Sequence, residues 1–285
     1  MSDTVQDFLD GMRSPTVPHV PFDEYADAFK DAFALRRENG ICEIRMHSKG
    51  GSAVFGKSHH RGWSQILRLV GADPDNELVI ITGTGDSFVR PIPDEVVQHA
   101  KQAAGRDPAA RQLAMHELYL EGTALVKNLI EQINVPTIGA VNGPAGAMSA
   151  LATLCDITIC SDTTTFEEKH LVENLVPADG TWQAYEGLIG IKRASYMAYM
   201  HQRIDARTAL DWGIVNEVVP HSEINSRAWE IAEVLMRKDA FARRMTHSMF
   251  KEYYARFLEG FALQFAMEAW AAALTEANQQ AAADR

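Results

Sequence analysis

A histidine and an aspartate bracket one short stretch, His170-Leu171-Val172-Glu173-Asn174-Leu175-Val176-Pro177-Ala178-Asp179, downstream of a small-residue segment, Val141-Asn142-Gly143-Pro144-Ala145-Gly146. An imidazole that titrates near neutrality can take a proton from water, a carboxylate can orient its ring, and backbone N–H groups in a tight turn can hold charge on an oxygen. These are the parts needed to activate water beside a polarised carbonyl. Each also has a plainer reading: a satisfied loop histidine for His170, a cap for a helix beginning near Thr181 for Asp179, and a strand-to-helix turn for the glycine segment.

Other chemistries fit less well. His59-His60 is an adjacent pair without a third ligand at metal-binding spacing, and His116-Glu117 is not followed by a second histidine four residues on, so the zinc-protease pattern fails. No metal and no organic cofactor are expected. Cys42, Cys155 and Cys160 give an odd count with no close metal-type pair, which reads as reduced thiols of a cytoplasmic protein. A net charge of −11 argues against nucleic acid or anionic membrane as a partner. Arg36-Arg37 and Arg243-Arg244 read as solvated helix faces. The first residues, Met1-Ser2-Asp3-Thr4-Val5, show no secretory signal, and no apolar run reaches membrane-span length.

The elements that must position these groups follow an α/β rhythm in a chain of 285 residues, 46% of them hydrophobic. Residues 1–39 read as an N-terminal extension, helical by period from Pro21 to Arg37. Gly40 to His47 alternates as a half-buried strand, Gly62 to Val70 is helical, and Leu78-Val79-Ile80-Ile81-Thr82-Gly83 is a strand buried on both faces. Strand, helix, strand implies a right-handed crossover in a largely parallel sheet. A helix over Arg111 to Asn134, strands at Thr137 to Val141 and Asp156 to Cys160, and short helices at Ser195 to Met200 and Ala206 to Trp212 continue the pattern. Residues 40–220 form the core and 221–285 a helical region. Its Phe257, Phe261, Phe265, Met267 and Trp270 are too dense for one narrow stripe, so they pack either on their own domain or between subunits.

With these elements placed, the chain resembles the crotonase (enoyl-CoA hydratase/isomerase) superfamily over roughly residues 40–280. The resemblance rests on Ile81-Thr82-Gly83-Thr84-Gly85-Asp86-Ser87-Phe88, Val135 to Gly143, Cys155 to Ile159, Val176-Pro177-Ala178-Asp179-Gly180 and Ala206 to Val219, in the family's order. It implies a spiral of strand-strand-helix turns, a C-terminal helical region used in trimerisation, and two backbone N–H groups that hold an enolate-type oxyanion. One would come from Ile92 and the other from Ala147 or Met148. The turn lacks the hydratases' run of three glycines, so Ala147-Met148-Ser149 could narrow or remodel the hole.

The departures redirect the chemistry. Where the family implies one glutamate on the helix after the glycine turn, this chain has Ala150 or Leu151, which move no proton; the second glutamate is replaced by His170. His170 followed by Asp179 is similar to the 6-oxocamphor hydrolase branch, which cleaves carbon–carbon bonds of β-diketones by a retro-Claisen route. That branch pairs its base with a carboxylate on the C-terminal helix, a position matched by Glu268, and its second histidine falls at Met148 and is missing.

The resemblance thus implies a hydrolase of cyclic 1,3-diketones with His170 as base, Asp179 as its orienting carboxylate or a direct water-activating partner, Glu268 as an anchor, and Phe55 and Trp63 lining the pocket. Core packing is the commoner fate of such aromatics, and an exposed helix face is the alternative for Glu268. The expected partners are a small diketone and copies of the same chain, as a homotrimer or dimer of trimers. A rival is an acyl-CoA-acting crotonase (a hydrolase, dehalogenase or dehydratase) using the same pair, with Lys49, Lys57 and Arg61 available for nucleotide phosphates. A second rival is a catalytically silent oligomeric binding partner.

Overall fold

In the computed structural model, residues 19–90 and 108–283 are described. Helix α1 (Phe22–Phe29) leads into strands β1 (Phe33–Glu38) and β2 (Ile41–Met46), followed by α2 (Lys57–Ala72), β3 (Leu78–Gly83) and α3 (Pro108–Gln132). Then come β4 (Thr137–Val141), a 3-10 turn at Gly146–Met148, α4 (Ala150–Thr153), β5 (Ile157–Ser161) and β6 (Thr165–Phe166). A second 3-10 turn, His170–Glu173, precedes α5 (Thr181–Met200), β7 (Ile204–Asp205), α6 (Ala206–Trp212) and β8 (Glu217–Val219). The chain ends in α7 (Ile224–Met236), α8 (Ala240–Ala255) and α9 (Phe261–Ala283).

Six strands form one sheet in the order β1-β2-β3-β4-β5-β8, parallel throughout except for the antiparallel edge pair β1-β2. The continuous apolar run of β3 is buried at every position, because α2 and α3 cover one face of the sheet while α7 covers the other. This is the α/β architecture that the strand and helix spacing implies.

Two expectations are corrected. The helical period over Pro21 to Arg37 ends at Phe29, and Phe33–Glu38 is instead the edge strand β1, paired with β2 across a two-residue turn. That turn is Asn39-Gly40, with φ of 50° and 79°, the positive-φ pair that suits a tight hairpin. The boundary at 39/40 therefore falls inside a hairpin. Strand β2 is also more buried than its alternation suggests. Glu43 is covered because it pairs with Arg45 at 2.8 Å and accepts the Trp229 indole N–H of α7 at 2.6 Å. All three cysteines are free and buried, and burial pushes their thiols up, away from thiolate.

The large apolar residues of the C-terminal region do not all face the same way. Phe261 and Phe265 of α9 are buried against the domain, Phe265 against Gly122 of α3, where an added Cβ would lie 1.9 Å from the ring. Met267 and Trp270 are exposed.

Candidate active site

Parallel strands bring their C-terminal ends, and the loops that follow, to one edge of the sheet. The loop after β3 and the turn after β4 are sewn together there: Asn142 Nδ2 donates to the Gly85 and Ser87 carbonyls at 2.9 and 3.2 Å, and the Phe88 N–H donates to the Pro144 carbonyl at 3.0 Å. Gly143 permits this approach, since a Cβ there would lie 2.0 Å from the Asp86 carbonyl oxygen. The Ala145 N–H then donates to the Thr165 carbonyl of β6 at 3.1 Å, and β6 runs within four residues to His170.

His170 opens the 3-10 turn that Asn174 closes in the left-handed region, φ 59°. The side chain is 8% exposed and its ring meets three carboxylates. Glu168 Oε1 lies 2.6 Å from Nδ1 and also accepts the His170 backbone N–H at 2.9 Å. On the opposite edge, Nε2 is 3.6 Å from Asp179 Oδ2 and 3.7 Å from Glu268 Oε1. The two oxygens of Asp179 face different partners: Oδ1 accepts the Thr181 N–H at 3.0 Å at the start of α5, while Oδ2 lies 3.6 Å from the imidazole Nε2. Glu268 is not on an exposed face. Helix α9 carries it inward, tied to α5 by a hydrogen bond from Gln183 to Gln264.

Burial alone would favour neutral imidazole, but the Asp179 charge, the Glu168 hydrogen bond and charge, and the Glu268 charge outweigh it and raise His170 to about 10. Burial, followed by the neighbouring Asp179 charge, raises Glu268 to about 8, and burial raises Asp179 as well. The groups titrate as a set, and the set retains protons at neutral pH that free side chains would lose. Beside it, the buried Tyr185 hydroxyl is 2.9 Å from Ser149 Oγ, next to the turn at Gly146–Met148. Glu168, His170 and Asp179 offer ligand atoms within 4.8 Å of one another, a grouping that could also hold a metal ion.

Asp179 and Glu268 thus lie within 3.7 Å of one ring edge of His170, while Glu168, which the motif order does not single out, takes the Nδ1 side expected of Asp179. Glu168 stands two residues before His170, but Lys169 between them is not extended (ψ 6°) and His170 opens a 3-10 turn, so no strand alternation marks it in the sequence. Of the oxyanion residues, Ala147 and Met148 lie in the 3-10 turn after β4, Met148 buried, and Ile92 lies outside the described residues. Trp63 is a core residue rather than a pocket lining: its ring is fully buried, packs edge-on to Phe33 at 4.9 Å, and its N–H donates to Met46 Sδ at 3.2 Å. Phe55 stacks on His59 at 5.5 Å and meets His60 edge-on at 4.9 Å.

The enoyl-CoA hydratase/isomerase family model matches residues 36–279. The chain belongs to this family. A solved β-diketone hydrolase from the cyanobacterium Anabaena sp. PCC 7120, bound to (S)-3-oxocyclohexyl acetic acid, is 31% identical with a TM-score of 0.79, over 90% of this chain and 98% of that one. An enoyl-CoA hydratase/isomerase from Mycobacterium paratuberculosis shares the fold, at 20% identity and a TM-score of 0.75 over 85% of this chain and 93% of that one. Among curated proteins, a crotonyl-CoA hydratase of Syntrophomonas wolfei is 31% identical over 76% of this chain and 80% of its own length. The fatty acid oxidation complex subunit alpha of Shewanella frigidimarina is 29% identical over 70% of this chain, which spans only 27% of that longer protein.

Proposed function

We propose that this family member hydrolyses a carbon–carbon bond of a cyclic 1,3-diketone. The observation that carries the reading is His170 itself, gripped by Glu168 through Nδ1 and turning Nε2 toward Asp179 and Glu268, at a position where paired-glutamate hydration has no counterpart on α4. The resemblance in sequence and structure to a β-diketone hydrolase supports it.

In the reaction, water adds to one carbonyl carbon and its proton passes to the His170/Asp179 pair. The tetrahedral intermediate collapses, the carbon–carbon bond breaks, and its electron pair moves onto the second carbonyl as an enolate. The negative oxygen would be held by one backbone N–H of the turn, at Ala147 or Met148, and by a second that the family resemblance assigns to Ile92. The His170 imidazolium then protonates the enolate carbon. A cyclic diketone plus one water gives one open-chain keto acid, with no redox change. Glu168 fixes the ring tautomer and keeps Nε2 as the proton-transferring edge.

The acyl-CoA reading rests on the crotonyl-CoA hydratase likeness. Of its phosphate-binding cations, Arg61 is already paired with Glu117 at 2.7 Å and with Glu121. Self-association belongs to this proposal too: Tyr199, Phe241, Met249 and Trp270 are each at least two-thirds exposed, at 78%, 73%, 70% and 68%, which suits a homotrimer or dimer of trimers.

The test is turnover of cyclic 1,3-diketones with keto-acid formation followed by mass spectrometry. His170→Ala and Asp179→Asn should each abolish it without changing circular dichroism or sizing; full activity in either overturns the assignment. Retention on immobilised CoA, with turnover of acyl-CoA but no diketone, would give the rival reading instead.

A further inference from the structure

We infer that Glu268 stands in the resting site as a neutral carboxylic acid and donates its O–H to the carbonyl that water attacks, as a catalytic residue of the reaction proposed above, on which this role rests. That reaction develops negative charge on two oxygens in succession. It falls first on the attacked carbonyl, as the tetrahedral alkoxide forms, and then on the second carbonyl, as the enolate departs. In a cyclic 1,3-diketone these oxygens diverge from the ring, so a turn that cradles the enolate leaves the alkoxide unserved. A second donor is required.

The hydrogen bonds on each acid decide which can supply it. Glu168 Oε1 accepts two N–H groups of His170, at 2.9 and 2.6 Å, and Asp179 Oδ1 accepts the Thr181 N–H at 3.0 Å, so each has an N–H that favours its anion. On Glu268, Oε2 is buried without a partner and Oε1 lies 3.7 Å from Nε2, beyond hydrogen-bond reach. Asp179 Oδ2 sits on the same ring edge at 3.6 Å, so two carboxylates would crowd one N–H, and a proton kept by one of them relieves the pair. Burial and the Asp179 charge outweigh the imidazole and the nearby Ala178 amide in placing that proton on Glu268. Glu268 is also the most open of the four groups, 15% exposed against 8% for His170, 9% for Asp179 and 1% for Glu168, so its hydroxyl has the freest approach to a substrate. The charged groups that reach it are Asp179 before α5 and His170 and Glu168 after β6, whereas α3 meets α9 at Gly122 and α5 meets it through the Gln183–Gln264 hydrogen bond.

The O–H lends its hydrogen without giving it up. As water adds, its proton passes to the His170/Asp179 pair and the alkoxide forms against Glu268. As the carbon–carbon bond breaks, that oxygen becomes the carbonyl of the new acid, and Glu268 is still protonated. A neutral acid can donate here where a carboxylate would repel the alkoxide.

The test compares Glu268→Gln, which keeps a neutral N–H donor of similar shape, with Glu268→Ala, which keeps none, both at unchanged circular dichroism and sizing. Glu268→Ala should lose ~10²–10³-fold in kcat with KM little changed, and Glu268→Gln only ~10-fold. In wild type, kcat/KM should fall as pH climbs through about 8, where Glu268 loses its proton, and Glu268→Gln, with no proton to lose there, should lack that limb. Glutamine as damaging as alanine, or an alkaline limb that survives in Glu268→Gln, overturns the role. Infrared difference spectra of wild type minus Glu268→Gln, taken without substrate near neutral pH, should show the carbonyl band of a neutral carboxylic acid. Diketone turnover without that band overturns the inference and leaves the reaction standing. The band in a protein that cleaves no diketone sinks the reaction, and the donor role with it, but leaves the proton on Glu268.

Discussion

Glu168 Oε1 is shared by two N–H groups of the same residue, the backbone amide and the ring Nδ1 of His170, at 2.9 and 2.6 Å. One oxygen thus fixes both where the histidine's main chain turns and which way its imidazole faces.

Glu168→Gln preserves an acceptor at the same place but removes the charge. Since Glu168 raises His170, Asp179 and Glu268 alike, all three should release protons at lower pH in the variant. The acid limb of kcat/KM should lie above the free-imidazole range in wild type and shift downward in Glu168→Gln, with the maximal rate down by ~10–100-fold. A pH–rate profile checks this, and an unmoved limb would remove Glu168 from the proton path.

Asp179 does two jobs with two oxygens, and substitution can separate them. Asp179→Asn keeps an oxygen for the Thr181 N–H, so its melting temperature should stay near wild type while turnover falls ~10²–10⁴-fold. Asp179→Ala should lose both, with an added stability loss of about 1 kcal/mol from the missing hydrogen bond. Denaturant melts alongside turnover rates distinguish the two.

Stability should fall on the alkaline side. His170 rises to about 10 in the folded chain, so its ion-pair contribution is complete below about 6.5, its value in the unfolded chain, and is lost as pH climbs through about 10. Glu268 rises to about 8, so the folded state also holds an extra proton between about 4.5 and 8 and loses stability as pH rises through that window. Both have the same sign. Glu268→Gln should flatten the lower part of the decline, as measured by melting temperature against pH.

Gly122 holds the door for α9. An alanine methyl there would sit 1.9 Å from the Phe265 ring, one turn before Glu268, and must push the helix outward. Gly122→Ala should cost about 1–3 kcal/mol from overpacking. It should also lower turnover ~10²-fold, because a displacement of about 1 Å at a reacting group is that expensive. Wild-type activity with unchanged melting would show that α9 need not be seated so closely.

If the exposed side of α9 meets another copy of the chain, Trp270→Asp should shift the protein toward monomer in sedimentation, at unchanged circular dichroism. A wild-type monomer would remove that proposal.

The parts of this molecule legible in its sequence are those where one physical signal dominates. The run Leu78 to Thr82, rich in β-branched residues and stopped by Gly83, fits a strand buried on both faces, and Leu118, Leu125, Leu129 and Ile133 give α3 its helical spacing in its second half. Residues 30–38 are ambiguous because Phe22, Tyr25, Phe29 and Phe33 carry a helical spacing into the segment, whereas Phe33, Leu35 and Arg37 follow the two-residue alternation of a strand. The Asn39-Gly40 pair that decides the matter is a local turn signal, and periodicity does not register it. At the site, His170 and Asp179 stood out through motif order. Glu168 did not, because a glutamate beside Glu167 reads as ordinary surface charge until the fold buries it. Trp63 failed for the opposite reason: an aromatic near a suspected pocket gives no sign of which neighbours will claim it.

Glu268 reaches His170 from α9, nearly a hundred positions further along the chain. A ribosome that has released everything up to Gly260 has already laid down the six-stranded sheet, the imidazole and two of its acids, yet the third has still to arrive. On the proposed reaction, competence is therefore the last thing this polypeptide acquires, arriving with the same helix whose Phe261 and Phe265 close the core.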